Sequence, residues 1–275
     1  MGKLEGQIAV VTGASRGIGA AIAELFSAEG AAVCVSARTS EEGDSRFAGS
    51  LTTTVEAIRG SGGVAHPVVA DLARADDRAR LVEETVRELG PIDVLVNNGA
   101  VTYFEPVEEF TEKRWRLMFE VQVRAPFELA QMVIPSMRER GSGSILNISS
   151  KAGLHPYPDS KARGSTVYGM VKAALERFST GLAAELFDDG ITVNALSPTS
   201  VVATPGVVHH QLITPDRERW VEDESMMARA ALALATGDLT GRIAYSHQLL
   251  AELGLEEPPA DWLMVADHTR YRSRE

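Results

Sequence analysis

Seven short runs of apolar, largely β-branched residues recur along the chain: QIAVV (7–11), AAVCVSA (31–37), AHPVVADL (65–72), IDVLVNN (92–98), SILNISS (144–150), ITVNALS (191–197) and RIAYS (242–246). Their length and flanking turn residues predict buried strands. Segments of helical period lie between most of them. Ile18, Ala21, Ile22, Leu25 and Phe26 fall at i, i+3, i+4, i+7 and i+8, and long amphipathic helices are predicted at about 111 to 139 and 167 to 187. This alternation predicts an α/β fold, a doubly wound parallel sheet of about seven strands with helices on both faces, because right-handed crossovers place a helix between successive parallel strands. Ligands of such sheets bind at the carboxyl ends of the strands, where the winding reverses.

Composition narrows the partners. The 275 residues are 44% hydrophobic and 24% charged, ordinary for a globular protein. No linker or repeat divides them, so one domain is expected over 1–255, with a tail over 256–275 that opens at a proline break, EEPPADW. A net charge of −11 and a pI near 5.1 argue against nucleic acid, whose phosphates need clustered Lys and Arg. No apolar stretch reaches the length of a membrane span, and MGKLEGQIAVV lacks both signal-peptide architecture and, with Gly6, the myristoylation pattern. The lone Cys34 lies in an apolar run and reads as a small buried hydrophobe, which fits a reducing, cytoplasmic setting. His209 and His210 lack Cys or acidic partners at ligand spacing, so no metal is expected.

Two motifs carry chemistry. TGASRGIG (12–19) follows the first strand and opens a helix, with spacing GxxxGxG rather than GxGxxG. Glycines there permit a tight turn and close approach to a pyrophosphate, which the free N–H groups and positive dipole end of the helix stabilise. The second is TVYGMVKAALERF (166–178), where Tyr168 and Lys172 interrupt an apolar stripe one turn apart. A free phenol has a pKa near 10; an ammonium about 4 Å away, at an effective dielectric of about 20, would favour the phenolate by roughly 4 kcal/mol, about three pKa units. Tyr157 and Lys161 are also four apart, but Pro156 and Pro158 flank that tyrosine and argue against a helix that would align the pair.

Taken in order, TGASRGIG, the stretch Asn97–Asn98–Gly99–Ala100, Ser150 and the Tyr168/Lys172 pair resemble the short-chain dehydrogenase/reductase family, over about residues 4 to 250. The resemblance is 3-oxoacyl reductase-like and NADP-preferring. It implies a Rossmann-like domain that transfers hydride between a nicotinamide cofactor and a carbonyl or secondary alcohol. By this resemblance Tyr168 exchanges a proton with the substrate oxygen, Ser150 orients that oxygen, and Lys172 holds the nicotinamide ribose and depresses the tyrosine pKa. Gly13, Arg16, Gly17 and Gly19 belong to the pyrophosphate turn. Asp71 is similar to the residue that meets the adenine, Asn97 to one whose main chain approaches the ribose, and Thr204 to a threonine at the nicotinamide amide. Ser15, Ile18, Leu72, Asn98, Gly99 and Val201 complete the expected cofactor contacts, with Tyr168 and Lys172. Arg38 stands at the end of the second strand where an acid would bind the ribose of NAD, and Arg16 offers a second guanidinium, so NADP is expected. Glu41 and Glu42 lie close by and leave NAD open.

The chain departs from the family pattern at several points. Gly99 and Ala100 reverse the usual order. The loop LHPYPDSKARGS (154–165) is lengthened, and its Tyr157 and Lys161 are candidates for touching substrate. Gln122 replaces an Asn that would link the lysine to a water chain. Pro198–Thr199 replaces Pro-Gly, and Thr204 comes one residue late. GVVHHQLI and the region from Trp220 to Met227 are expected to form a mobile substrate cover. Trp220, Met226 and Met227 either line an apolar pocket or pack in the core.

A small-molecule carbonyl or alcohol is the expected substrate, with a 3-oxoacyl thioester and an aliphatic or terpenoid secondary alcohol as candidates. The lack of a basic patch for a carrier protein disfavours the first. By resemblance the assembly is a homodimer or homotetramer. The competing reading is a dinucleotide-binding sensor or scaffold without turnover, for which Gln122, the 199–204 turn and the long loop leave room.

Overall fold

All seven sheet strands of the computed structural model coincide with the apolar runs. The structure describes residues 2–156, 163–209, 213 and 221–257. The strands are β1 (Ile8–Thr12), β2 (Ala32–Ala37), β3 (Val64–Val69), β4 (Val94–Asn97), β5 (Gly143–Ile148), β6 (Ile191–Ser197) and, last in the chain, β9 (Ile243–Tyr245). They pair in parallel in the order β3-β2-β1-β4-β5-β6-β9. Two two-residue strands, β7 (Val201–Val202) and β8 (Val221–Glu222), pair separately beyond β6. The winding reverses between β1 and β4, so their carboxyl ends open the crevice of a doubly wound sheet.

Helices cover both faces. On one, α1 (Gly17–Ala28), α2 (Leu51–Gly60), α8 (Glu224–Thr236) and α9 (Ser246–Glu252) enclose a core that includes Ile22, Phe26, Val33, Val96 and Leu234. On the other, α3 (Ala75–Glu88), α5 (Ala125–Arg140) and α6 (Thr166–Glu185) pack over Val10, Leu95, Ile145 and Val193. Strands buried on both sides are predominantly apolar; β1, buried at all five positions, is apolar at four of them. Each such Val, Leu or Ile contributes roughly 1.5–3 kcal/mol.

The helix predicted at 111–139 is helical from Glu112 to Arg140, with a change of winding inside it. Between α4 (Glu112–Phe119) and α5 the chain makes a wide, i→i+5 turn over Glu120–Arg124, and α5 stops at Gly141 in the left-handed conformation. The fold then closes with α7 (Pro205–His209) after β7. No helix among the described residues is long and apolar enough to cross a membrane. Glu256, at the start of the expected tail, pairs with Arg229 of α8, and the chain from 258 lies outside the described residues.

Candidate active site

The glycine turn runs directly from β1 into α1. Gly13 and Gly17 have φ of +65° and +55°, and α1 begins without a side-chain cap, leaving its first N–H groups for a ligand. Asn98, at the end of β4, ties the crevice together: its side chain donates to the carbonyls of Thr12 and Gly13 at 2.9 and 3.1 Å. Close packing explains the glycines. A Cβ at Gly19 would lie 2.4 Å from Asn98 Nδ2, and one at Gly99 would lie 2.5 Å from Leu72 Cδ1. Leu72 thus fills the room that the usual alanine would need, which accounts for the reversed Gly99–Ala100 order.

A cleft of about 1250 Å³ extends from this turn along the strand ends. Gly13, Ser15, Arg16, Gly17, Ile18 and Gly19 line one end, joined by Arg38 after β2, Asp71 and Leu72 after β3, and Asn98 and Gly99 after β4. Arg46, which lies outside every motif read above, also lines it. Arg16 donates to the Gly49 carbonyl at 2.6 Å and to Ser45 Oγ at 3.1 Å, while Phe47 lies within cation–π reach of Arg16 and Arg46. Glu41 and Glu42 do not line the cleft; Glu41 accepts from Thr52, and Glu42 from Thr53 and the Gly49 N–H. An uncapped helix N-terminus, a floor without Cβ atoms and three guanidiniums fit a dinucleotide with an additional phosphate. His209, at the end of α7, meets the Phe47 ring edge-on at 5.3 Å.

At the other end, Ser150, Tyr168 and Lys172 line the same cleft. Ser150 follows β5 and caps the short turn Lys151–Gly153, accepting from the Ala152 N–H at 3.3 Å; its hydroxyl also hydrogen-bonds the Tyr168 phenol. Close approach of α6 to that turn requires Gly169, where a Cβ would lie 2.7 Å from the Ala152 carbonyl oxygen. Phe104 packs edge-on against Tyr168. Lys172, 4% exposed, donates to the Ile148 carbonyl at 2.8 Å, and its Nζ is 5.6 Å from the centre of the Tyr168 ring.

The electrostatics differ from expectation. Burial raises the Tyr168 pKa, and the Ser150 hydrogen bond, rather than the lysine, opposes the rise. Burial also lowers Lys172 to about 8, against the pull of the Glu176 carboxylate. The i, i+4 estimate assumed two groups in a solvated environment; here desolvation dominates both.

Two expected site residues do not line the cleft. Asn97 is buried and bridges to Asn147 at 2.8 Å, and Asn147 in turn bonds Ser179. Gln122 sits in the wide turn, 1% exposed, with its amide donating to the Val101 carbonyl at 2.7 Å and its Oε1 buried without a partner. Val201 and Thr204 do line the cleft, and Thr204 Cγ2 comes 3.1 Å from where a Gly17 Cβ would stand. The turn before them is clamped by Glu222, which accepts from the Ser200 N–H and Ser246 Oγ, both at 2.5 Å, while the Thr199 N–H bonds Ser246 at 3.0 Å. Met227 is a core residue and Met226 packs against the core, so neither forms a pocket wall. Tyr157, Lys161, His210 and Trp220 lie outside the described residues. Cys34 is buried, which pushes its thiol up to about 12. No group of three metal-ligating side chains occurs among the described residues.

Fold and crevice define a Rossmann-like α/β protein with its ligand cleft at the sheet's switch point. Residues 7–211 match the family model for short chain dehydrogenases, and the chain belongs to that family. It is therefore an NAD(P)-dependent oxidoreductase acting on CH–OH groups. It is 34% identical over 240 residues to a short chain dehydrogenase of Pseudocercospora fijiensis, covering 86% of this chain and 74% of the relative. A crystal structure of a short chain dehydrogenase from Mycobacterium thermoresistibile superposes with a TM-score of 0.80 at 32% identity, covering 91% of this chain and 88% of the other. A metagenomic short-chain oxidoreductase crystallised in complex with NADP gives a TM-score of 0.70 at 32% identity, covering 85% and 92%.

Proposed function

We propose that the protein is an NADP-dependent carbonyl reductase or secondary-alcohol dehydrogenase in which Tyr168 is the general acid/base, with Ser150 and Lys172 as its partners. The observation that carries this reading is the meeting of Ser150 and Tyr168 above Lys172 in the same cleft as the glycine turn. Gly13, Gly17 and the free N–H groups of α1 would hold the pyrophosphate, and Arg16, Arg38 and Arg46 the additional phosphate. Bound there, NADP(H) supplies or accepts the hydride. The NADP complex of the metagenomic relative and the diversion of Glu41 and Glu42 support NADP over NAD.

In reduction, the Tyr168 hydroxyl gives its proton to the carbonyl oxygen as negative charge develops on it; in oxidation, the phenolate removes the hydroxyl proton. A phenol with a raised pKa stays protonated at neutral pH, the form that donates in reduction. Ser150 holds the reacting oxygen and stabilises the phenolate left after proton transfer. Lys172 places positive charge beneath the ring and reaches toward the ribose. The unpartnered Gln122 Oε1 offers an acceptor to a relay water.

Residues 1–255 act as one catalytic domain, in a cytoplasmic protein that pairs with further copies of itself. The exposed Trp115, Phe127 and Met170 on α4, α5 and α6 supply apolar docking faces.

Tyr168→Phe is the test. It is expected to lower kcat by about 10²- to 10⁴-fold while NADPH affinity persists. Unchanged turnover refutes the role of Tyr168, and NADPH binding by the wild type without oxidation across an aldehyde and ketone panel favours the sensor or scaffold.

A further inference from the structure

We propose that Lys151 is the anion-recognising residue at the substrate end of the cleft, and that the substrate is a carbonyl compound, or its alcohol, carrying a free carboxylate. The inference rests on the hydride-transfer reading above and adds a substrate class to it.

Lys151 directly follows Ser150, opens the turn that Ser150 caps, and lines the cleft with Ser150 and Tyr168. Phe104 packs on Tyr168, and Tyr103 and Leu117 line the same cleft. An ammonium half-withdrawn from water costs free energy unless an anion accompanies it. Burial accordingly pushes Lys151 below the usual lysine range, with the Glu222 carboxylate pulling the other way.

Glu222 attracts the ammonium but forms no close ion pair with it. Its two carboxylate oxygens are engaged by the Ser200 N–H and the Ser246 hydroxyl, and the Lys151 ammonium makes no hydrogen bond or ion pair among the described residues. The cleft's other cations have other places. Lys172 bonds the Ile148 carbonyl beneath Tyr168 and serves the ribose in the reading above, and Arg16, Arg38 and Arg46 belong with the glycine turn. A single ammonium beside the proposed oxygen-holding serine therefore awaits a monoanion within a few bonds of the reacting carbon. One Lys matches a carboxylate; a phosphate would call for several convergent donors or a helix N-terminus. A 3-oxoacyl thioester has lost the charge that Lys151 would read, so the free oxo acid fits better.

NADPH oxidation by the wild type, Lys151→Met and Lys151→Arg on matched pairs of 2-, 3- and 4-oxo acids and their methyl esters tests this. In at least one pair the wild type is expected to favour the acid by about tenfold or more in kcat/KM. That ratio should fall to about one in Lys151→Met and recover in Lys151→Arg; Lys151→Gln replaces the Met variant if the latter does not fold. A wild-type ratio at or below one in every pair, or a ratio unmoved by Lys151→Met, overturns the inference. If no carbonyl is reduced, quenching of bound-NADPH fluorescence by phenylacetate and phenylacetamide decides. Carboxylate binding about tenfold tighter than the amide's, and dependent on Lys151, upholds the site while the hydride-transfer reading falls. Absence of that preference overturns the site as well.

Discussion

Ser149 donates its hydroxyl to the Glu176 carboxylate at 2.6 Å, one helical turn beyond Lys172 on α6. Glu176 is 7% exposed, and burial raises its pKa against the Ser149 hydrogen bond and the Lys172 charge. The buried carboxylate and ammonium each oppose the shift that burial imposes on the other, beneath the proposed catalytic tyrosine.

Glu176→Gln removes the charge that opposes desolvation of Lys172. The lysine titrates near 8 with Glu176 in place, so activity that needs protonated Lys172 declines as pH rises through about that value. In the variant this alkaline limb of kcat/KM should move to lower pH by about half a unit to one unit. A pH–rate profile that superimposes on the wild type's would show that Glu176 exerts no such hold.

Gly169→Ala places a Cβ against the Ala152 carbonyl oxygen and pushes α6 from the turn that carries Ser150. Turnover should fall about tenfold to a hundredfold, since small misplacements of reacting groups are costly. The urea midpoint should move little, and the two measurements together distinguish local misalignment from unfolding.

Arg38 is exposed and lines the cleft at the glycine-turn end. Arg38→Asp should lower the ratio of kcat/KM for NADPH over NADH by about tenfold to a hundredfold, because charge-assisted hydrogen bonds contribute roughly 1.5–3 kcal/mol. A ratio that stays put would assign the additional phosphate elsewhere.

Glu222→Ala leaves the Ser200 N–H unpartnered and frees the Ser246 hydroxyl that anchors Thr199. A loss of about 1–3 kcal/mol in stability is expected, read by urea titration, with a rise in KM for NADPH as the 199–204 segment loosens. Glu222→Gln keeps an acceptor and should recover part of both.

The sheet was legible because strands covered on both faces are apolar at most positions, as β1 and β2 are. The glycine turn was legible because φ above zero and close approach leave glycine almost alone as a candidate. Other features were hidden for identifiable reasons. Ser149 and Glu176 are 27 residues apart, and Ser200 and Glu222 are 22 apart; a single buried carboxylate carries no periodic signature. Lys151 looked like any polar residue in a loop until its turn was seen to face the cleft. The Tyr168/Lys172 spacing was visible, but spacing conveys nothing about desolvation, which reversed the expected shift of the phenol.

The wide turn at Glu120–Arg124 works as a phase shifter in an otherwise continuous rod. A regular helix advances about 100° per residue, so the surplus residue sets α4 out of rotation with α5 by about that angle. Leu117 of α4 lines the pocket wall, while α5 stays seated on the sheet. Excising one residue there would swing the outer rod, and with it the shape of the substrate chamber, without disturbing the strand ends that deliver Ser150 and the glycine turn.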